Sequence, residues 1–445
     1  MAIYFDLDRL LNIDNSFLVA IGFVAGIGFW LNLLYRSNAG KLSNRQIFLF
    51  VFVVGFACRI AFAIGTPDFY APDEQSHFNY VRFLADHRSF PIQTSRTGAD
   101  TNDWEYYQPP LYYLVQVPVY ILATELFQDK YYLIRSLRFT SILLWICTVG
   151  FALWFLRILE IDNELLQVVV MGLVCLLPTY TFLSSMINND NMIIFIGGLL
   201  LCSIARRDLS VNTAIVTGIL LGLALLTKLS AVVYCPAIVA LAVLHAIRVP
   251  LKRRPAIVYL MIVVTVSALI WLPWATRNLY VYGSITAEHV ANVPVAWPTM
   301  AVAVYGTLSY ISGSFWSVSG IYNNVHSVFP QVGMLLSIFS LSGLIYALWS
   351  GKRLNAVFAS ELDGRFLIAM SLSIAVNVLL VLRFGILYGQ GQGRFLFPLL
   401  LPISLFLGIG LCFYQIKNFG IHLSGFFITY AVTFTLFSLG SFPRM

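Results

Sequence analysis

Charge is the scarcest commodity in this chain. Only 11% of its 445 residues are Asp, Glu, Lys or Arg, while 59% are hydrophobic, and the mean hydropathy is +0.82. Soluble domains carry about 25% charged residues. A chain this apolar cannot solvate its own surface, so lipid must cover most of it and a soluble globular protein is excluded. The net charge of +7 is therefore read first as a topology signal, and no nucleic-acid partner is expected.

Other signals are also missing. Six cysteines (Cys58, Cys147, Cys175, Cys202, Cys235 and Cys412) all lie in apolar runs and none forms a C-x-x-C, which argues against a metal knuckle or a disulfide framework. Met1–Ser16 carries Asp6, Asp8 and Asp14 against one Arg9, the reverse of a cleavable signal peptide. There is no N-x-S/T sequon, which favours a bacterial or archaeal source. No Gly-rich phosphate loop occurs, and the only D-x-D is Asp6/Asp8 in the N-terminal tail. A cytoplasmic nucleotide-sugar site thus has no basis.

What is present is a series of long apolar runs. A helix needs about 20 apolar residues to cross a bilayer. Spans are expected near 17–34, 47–66, 137–156, 165–183, 191–205, 212–226, 231–247, 256–275, 331–350, 366–386, 395–413 and 421–440. The expected fold is all-α: a polytopic membrane protein of about 11–13 transmembrane helices, with residues 1–445 forming one membrane domain. Placing Arg36, Lys41 and Arg45 in the cytoplasm puts Arg157, Arg206, Arg248, Lys352 and Lys417 there too, and leaves most carboxylates on the other side. Two long stretches, 67–136 and 276–330, then face the exterior and carry most of the non-spanning Trp, Tyr and His. The expected location is the inner (plasma) membrane, multi-pass, with the functional site on the periplasmic or exterior face.

The first of these loops holds carboxylates. A helix is expected to begin at Pro72, since proline suits the first helical position. Asp73 and Glu74 would then occupy the first turn, where the helix dipole favours negative charge. His77 lies four residues after Asp73, on the same helix face. Such carboxylates at the lipid–water boundary suit a general base or a divalent-ion pair, and equally a solvated helix start. The following stretch, Trp104 to Tyr113, contains Pro109-Pro110 and leads into an amphipathic segment over roughly 111–127, suited to the interface.

Ionisable residues in or beside spans usually face a cavity or a partner. Arg59 lies towards the outer end of the second span. Asp190, after Asn188-Asn189, opens the fifth. Lys228 sits in a short outer turn, Arg277 and Asn278 follow the eighth span, and Gln390, Gln392 and Arg394 precede the eleventh. All converge on one face, where guanidinium and ammonium groups suit a lipid phosphate.

These stretches resemble a known group. The pattern PDE-x-x-H-x-x-Y-x-R-x-L in Ala71–Pro91, followed in order by QPPLYY (Gln108–Tyr113), NND (Asn188–Asp190), GLALLTKLS (Gly222–Ser230), RNLYVYG (Arg277–Gly283), SFW (Ser314–Trp316) and QGRFLFP (Gln392–Pro398), is similar to the C-type glycosyltransferase superfamily. That superfamily includes the lipid A aminoarabinose transferases and the protein O-mannosyltransferases. The resemblance implies an integral membrane transferase. It would move a sugar from a polyprenyl-phosphate donor to an acceptor on the outer face, usually with inversion. The acceptor is a glycan, lipid or protein, and membrane lipids are further partners.

The resemblance further implies that Asp73 or Glu74, with Asp190, supplies the catalytic carboxylates. Arg59, Lys228, Arg277 and Arg394 are the candidate donor-phosphate ligands. His77, Tyr80, Arg82 and Tyr107 are candidate substrate contacts, as are Gln108, Asn189 and Gln392. A divalent cation (Mg2+, Mn2+ or Zn2+) on Asp73, His77 and Asp190 is the one cofactor these residues allow. Many members carry a large C-terminal soluble domain, which this chain, ending at Met445 just after a span, is expected to lack. The competing readings are a transporter or flippase for lipid-linked sugars or small solutes, and a polymerase or ligase of whole glycan chains. The first is disfavoured by the lack of an internal repeat and by polar residues gathered at one face rather than mid-span.

Overall fold

A computed structural model describes residues 15–38, 43–93, 103–248, 253–320, 327–349, 364–414 and 419–442. Asp6, Asp8, Lys41, Lys352 and Lys417 lie outside these residues, as do parts of both long loops. Among the described residues every regular element is helical. In chain order they are α1 (Asn15–Asn38), α2 (Asn44–Gly65), α3 (Glu74–His87), α4 (Leu111–Leu126), α5 (Lys130–Ile158), α6 (Glu164–Leu176), α7 (Pro178–Leu183), α8 (Asp190–Ala205) and α9 (Val211–Leu225). A 3-10 helix (Leu229–Tyr234) leads into α10 (Cys235–Arg248). Then come α11 (Arg253–Tyr282), α12 (Glu288–Ala291), α13 (Met300–Trp316), α14 (Val328–Trp349) and α15 (Gly364–Tyr388). A second 3-10 helix (Gly393–Leu399) precedes α16 (Leu400–Cys412) and α17 (Phe419–Ser441).

The protein is an all-α, polytopic membrane protein. Eight stretches among the described residues are long and apolar enough to cross a bilayer: Arg45–Gly65, Lys130–Ile158, Leu229–Ile247, Arg253–Tyr282, Val328–Tyr346, Gly364–Tyr388, Gly393–Cys412 and Phe419–Ser441. The spans expected at 17–34, 165–183, 191–205 and 212–226 fall instead on shorter apolar stretches, Ala20–Asn32, Glu164–Leu176, Asp190–Ala205 and Val211–Leu225.

The 165–183 run is not one helix. It breaks at Leu177 (ψ 115°), because Pro178 opens α7 and the residue before a proline is pushed out of the helical region. The break exposes the last carbonyls of α6, and Arg59 takes them up. Its Nη1 donates to Cys175 O (2.6 Å) and Gly55 O (3.0 Å), its Nη2 to Val174 O (3.4 Å), and its Nε to Ser184 Oγ (2.7 Å). Unpaired helix ends demand such partners.

Two pairs of helices meet through glycines spaced four apart. Gly22 and Gly26 on α1 sit against Thr433 and Thr429 on α17, and Gly218 and Gly222 on α9 sit against Val263, Val266 and Ile270 on α11. Small residues at this spacing let backbones approach closely in a bilayer, where no hydrophobic effect separates helix from lipid. The second pair fixes the position of several polar residues: α9 runs directly into Lys228, and α11 carries Trp274 and Asn278.

Candidate functional site

At one end of the bundle, a short segment after α2 turns into α3. The expected helix start at Pro72 is two residues early. Asp73 adopts a left-handed conformation (φ 62°) and caps a helix that begins at Glu74. That turn sends the two adjacent carboxylates in different directions. Glu74 is fully buried and accepts from Arg138 through both oxygens (2.8 and 2.7 Å), and also from Ile187 N (3.2 Å). Arg138 donates further to Ala63 O, Thr66 O and Pro67 O. A buried bidentate pair with every donor used is a structural clamp; it ties α3 to α5 and to the turn before α8.

Asp73 goes the other way, into a cavity of about 640 Å³. The cavity is walled by the start of α3, the 103–109 segment, the turn before α8, the first 3-10 helix, and the faces of α11 and α15. Asp73 Oδ2 accepts from Arg394 Nη2 (2.7 Å), and Trp104 Nε1 reaches Asp73 Oδ1 at 3.4 Å. Lys228 forms an ion pair with Asp190 and donates to Asn189 Oδ1 (3.3 Å). Arg394 Nε lies 4.0 Å from Asp190 Oδ2, so two carboxylates and two cations interleave. Asn189 Nδ2 reaches Tyr113 OH (3.5 Å), which contacts His77 Nδ1 at 2.9 Å.

The ionisation states reflect these surroundings. Burial tends to raise the Asp73 carboxyl, but the adjacent Arg394 guanidinium is the main cause holding it below the usual carboxylate range; its side chain still keeps 31% exposure and lines the cavity. Burial drives His77 down to about 3, against the pull of Asp73, so its imidazole is neutral. Glu105 behaves oppositely: burial, then the neighbouring charge of Asp73, pushes it up to about 8.

The expected site residues divide. Asp73, His77, Tyr107, Gln108, Asn189, Lys228 and Arg394 line the cavity, and Asp190 stands behind Lys228. Arg59 and Glu74 do not line it, being spent on the α6 end and on Arg138. Tyr80 is buried beside it, donating to Gln108 O (3.2 Å) and stacked on Tyr113. Arg82 is exposed elsewhere on α3. Gln392 caps the second 3-10 helix without lining the cavity, where Gln390 takes a place. Arg277 is turned aside: it donates to Asn278 Oδ1 (3.1 Å) and to Pro91 O, and lies over the Trp274 ring.

The residues do not fit the expected metal site. Among the described residues no three His, Cys, Asp or Glu side chains gather as ligands, and Asp73 and Asp190 are already engaged by Arg394 and Lys228. Sequence reasoning also missed Glu105, Trp274 and Asn377, which line the cavity. Glu105 sat inside the Trp104–Tyr113 stretch, but Trp274 and Asn377 are single residues within apolar runs and carry no local signal.

Comparison with solved structures decides the architecture. The chain superposes on ArnT from Cupriavidus metallidurans bound to undecaprenyl phosphate with a TM-score of 0.53, at 14% identity, over 84% of this chain and 61% of that one. For apo ArnT from the same organism the TM-score is 0.50, at 14% identity, over 90% and 62%. The chain has a GT-C fold. It spans about three fifths of the length of these ArnT structures. No protein-family model matches, and no curated protein matches. Within this GT-C fold, the cavity sits where the first loop between spans meets the ends of α11 and α15.

Proposed function

We propose that the protein is a membrane glycosyltransferase that moves a sugar from a polyprenyl-phosphate donor to an acceptor hydroxyl on the extracytoplasmic face, with inversion. The carrying observation is that one cavity joins an ionised, accessible Asp73 to two cations, and that Arg394 keeps Nε and Nη1 without hydrogen-bond partners there. Buried guanidinium N–H groups left unpaired are costly, and a phosphate is the group their geometry suits. The ArnT structure, similar in fold, holds undecaprenyl phosphate.

In this reading Lys228 and Arg394 hold the donor phosphate. Val232 and Leu380 line the cavity and are 42% and 38% exposed, an apolar surface that suits the prenyl chain. Asp73 takes the proton of the acceptor hydroxyl as its oxygen forms a bond to the anomeric carbon. The bond from that carbon to the phosphate oxygen breaks on the opposite side, which inverts the centre. The charge that develops on the leaving phosphate meets Lys228 and Arg394. Donor phosphate also competes with Asp73 for Arg394, so Asp73 gains basicity as the donor binds. The arginines Arg45, Arg157 and Arg206 lie at the far ends of α2, α5 and α8, and their charge supports placing those ends in the cytoplasm of an inner membrane. Residues 67–136 and 276–330 would wall the site from outside, and the acceptor is a surface glycan, a lipid or a protein.

The test is release of free polyprenyl phosphate by the purified protein in nanodiscs, across a panel of polyprenyl-phosphate sugars, with and without EDTA. Asp73→Asn is expected to lower release by about 10²-fold or more, the usual scale for a lost general base, with the fold intact. Normal turnover by that variant removes Asp73 from the role of base, a loss of activity in EDTA brings a metal back, and flipping of the intact lipid without release replaces the transferase with a transporter.

A further inference from the structure

The cavity has a second set of unpaired groups that the phosphate does not explain. Ser230 Oγ, Trp274 Nε1 and Asn377 Nδ2 are buried without a hydrogen-bond partner, and all three residues line the same cavity. Trp274 and Asn377 are 5% and 2% exposed. Other polar side chains in these elements are satisfied: Ser373 Oγ accepts from Ala237 N, and Asn278 Nδ2 donates to Ile285 O. Asn377 lies eleven residues before the end of α15 at Tyr388, about 16 Å along the axis at 1.5 Å per residue, and Trp274 lies eight before the end of α11, about 12 Å. Trp274 and Asn377 thus lie within helices long and apolar enough to cross a bilayer, where an unpaired polar group points to a ligand.

An isoprenoid chain offers these groups no acceptor. The phosphate has its own cations at the mouth. The remaining polar part of the donor is the sugar. We propose that Ser230, Trp274 and Asn377 form its subsite and select an uncharged sugar. Besides these three, the first 3-10 helix contributes Leu229, Val232 and Val233 to the lining, α11 contributes Trp271, and α15 contributes Leu380 and Val381, all of them neutral. The acidic and basic lining residues (Asp73, His77, Asp103, Glu105, Lys228, Glu288, Arg383 and Arg394) belong to the connecting segments, the short helices or the ends of the long ones. An amino sugar would bury its cation beside Arg277, which lies over the Trp274 ring, and a uronic acid would meet an arginine already held by Asn278 Oδ1 and Pro91 O, while hydroxyl or acyl oxygens would accept from the Trp274 indole and the Asn377 amide.

This assignment rests on the polyprenyl-phosphate donor reading, and the experiment separates the two. Binding of undecaprenyl phosphate and of an undecaprenyl-phosphate neutral hexose is measured on the full protein in nanodiscs, for the wild type, Trp274→Phe and Asn377→Leu. Each substitution is expected to weaken the hexose donor about tenfold, the scale of one buried hydrogen bond, and to leave the bare lipid phosphate within about twofold. Trp274→Phe keeps an aromatic ring while removing the N–H with the pyrrole part of the indole, and Asn377→Leu replaces the amide by an apolar group of similar size, so agreement between the two separates the lost hydrogen bond from lost packing. The wild type is also expected to prefer the neutral hexose to an amino-pentose donor, and Asn377→Asp to reverse that order by adding a counter-charge. Equal losses for both lipids, no loss for either, or a wild-type preference for the amino sugar overturns the subsite while leaving the donor reading in place. Failure of the wild type to bind undecaprenyl phosphate at all overturns both.

Discussion

Asp73 and Glu74 are neighbours in the chain with opposite fates, and one backbone angle separates them. The left-handed turn at Asp73 puts its carboxylate on Arg394 in the cavity, whereas Glu74, one residue on, is helical and locked to Arg138. Glu105 carries a residue-scale consequence for pH. Its carboxyl, raised to about 8 chiefly by burial and next by Asp73, holds a proton that an unfolded chain releases near 4.3. The folded protein therefore binds the extra proton between those values, and this group's contribution to stability falls as pH rises through that window and levels off above about 8. For binding the sign is the same. Neutral Glu105 tolerates a phosphate in the cavity, and the ionised form repels it. Undecaprenyl-phosphate affinity is expected to drop as pH rises through about 8, and Glu105→Gln to flatten the profile; an unchanged slope in that variant would clear Glu105 of the effect.

Among elements, the contact between α9 and α11 governs where Lys228 stands. A Cβ on Gly222 would come within 2.8 Å of Ile270 Cβ, and one on Gly218 within 2.8 Å of Val266 Cβ. Neither neighbour is a flexible chain end, so a larger residue must push the helices apart. Since α9 ends two residues before Thr227 and three before Lys228, the displacement reaches the phosphate site. Gly222→Leu is expected to cost about 1–3 kcal/mol, the range for overpacking, and to weaken donor binding. Gly28→Leu, where a side chain meets open space, serves as the control, and a Gly222→Leu protein with wild-type melting and affinity would refute the coupling.

For the whole molecule, the cavity joins elements far apart in the chain. Lys228 follows α9 and Arg394 lies in the second 3-10 helix, so a ligand bridging the two cations ties the middle of the chain to the last third of the bundle. Anything that binds the folded state alone stabilises it by mass action, about 2.7 kcal/mol at a hundredfold excess over Kd. Undecaprenyl phosphate is expected to raise the melting temperature, and undecaprenol, which lacks the phosphate, to leave it near its starting point. Equal shifts from both lipids would mean that tail burial, not the cations, does the binding.

Some of this could be read from the chain alone. Apolar runs show their own length and the positive-inside rule acts on local charge, so the all-α membrane class was legible from composition and run length. The first-loop motif and the later NND, TKL and QGRF stretches also carried Asp73, Asn189, Lys228 and Arg394 in local patterns, and tertiary structure brings these to one cavity. What local sequence cannot show is which way a side chain leaves the backbone and what it meets. Arg59 looks like any intramembrane cation until the break at Pro178 supplies it with carbonyls. Glu74 looks like a second catalytic carboxylate until Arg138 arrives from 64 residues away. Asn377 and Trp274 are single polar groups in apolar helices, and only the packing of α11, α15 and the first 3-10 helix leaves them facing one space without partners. Run length and local charge are properties of neighbouring residues, whereas pairing and burial are settled by distant ones.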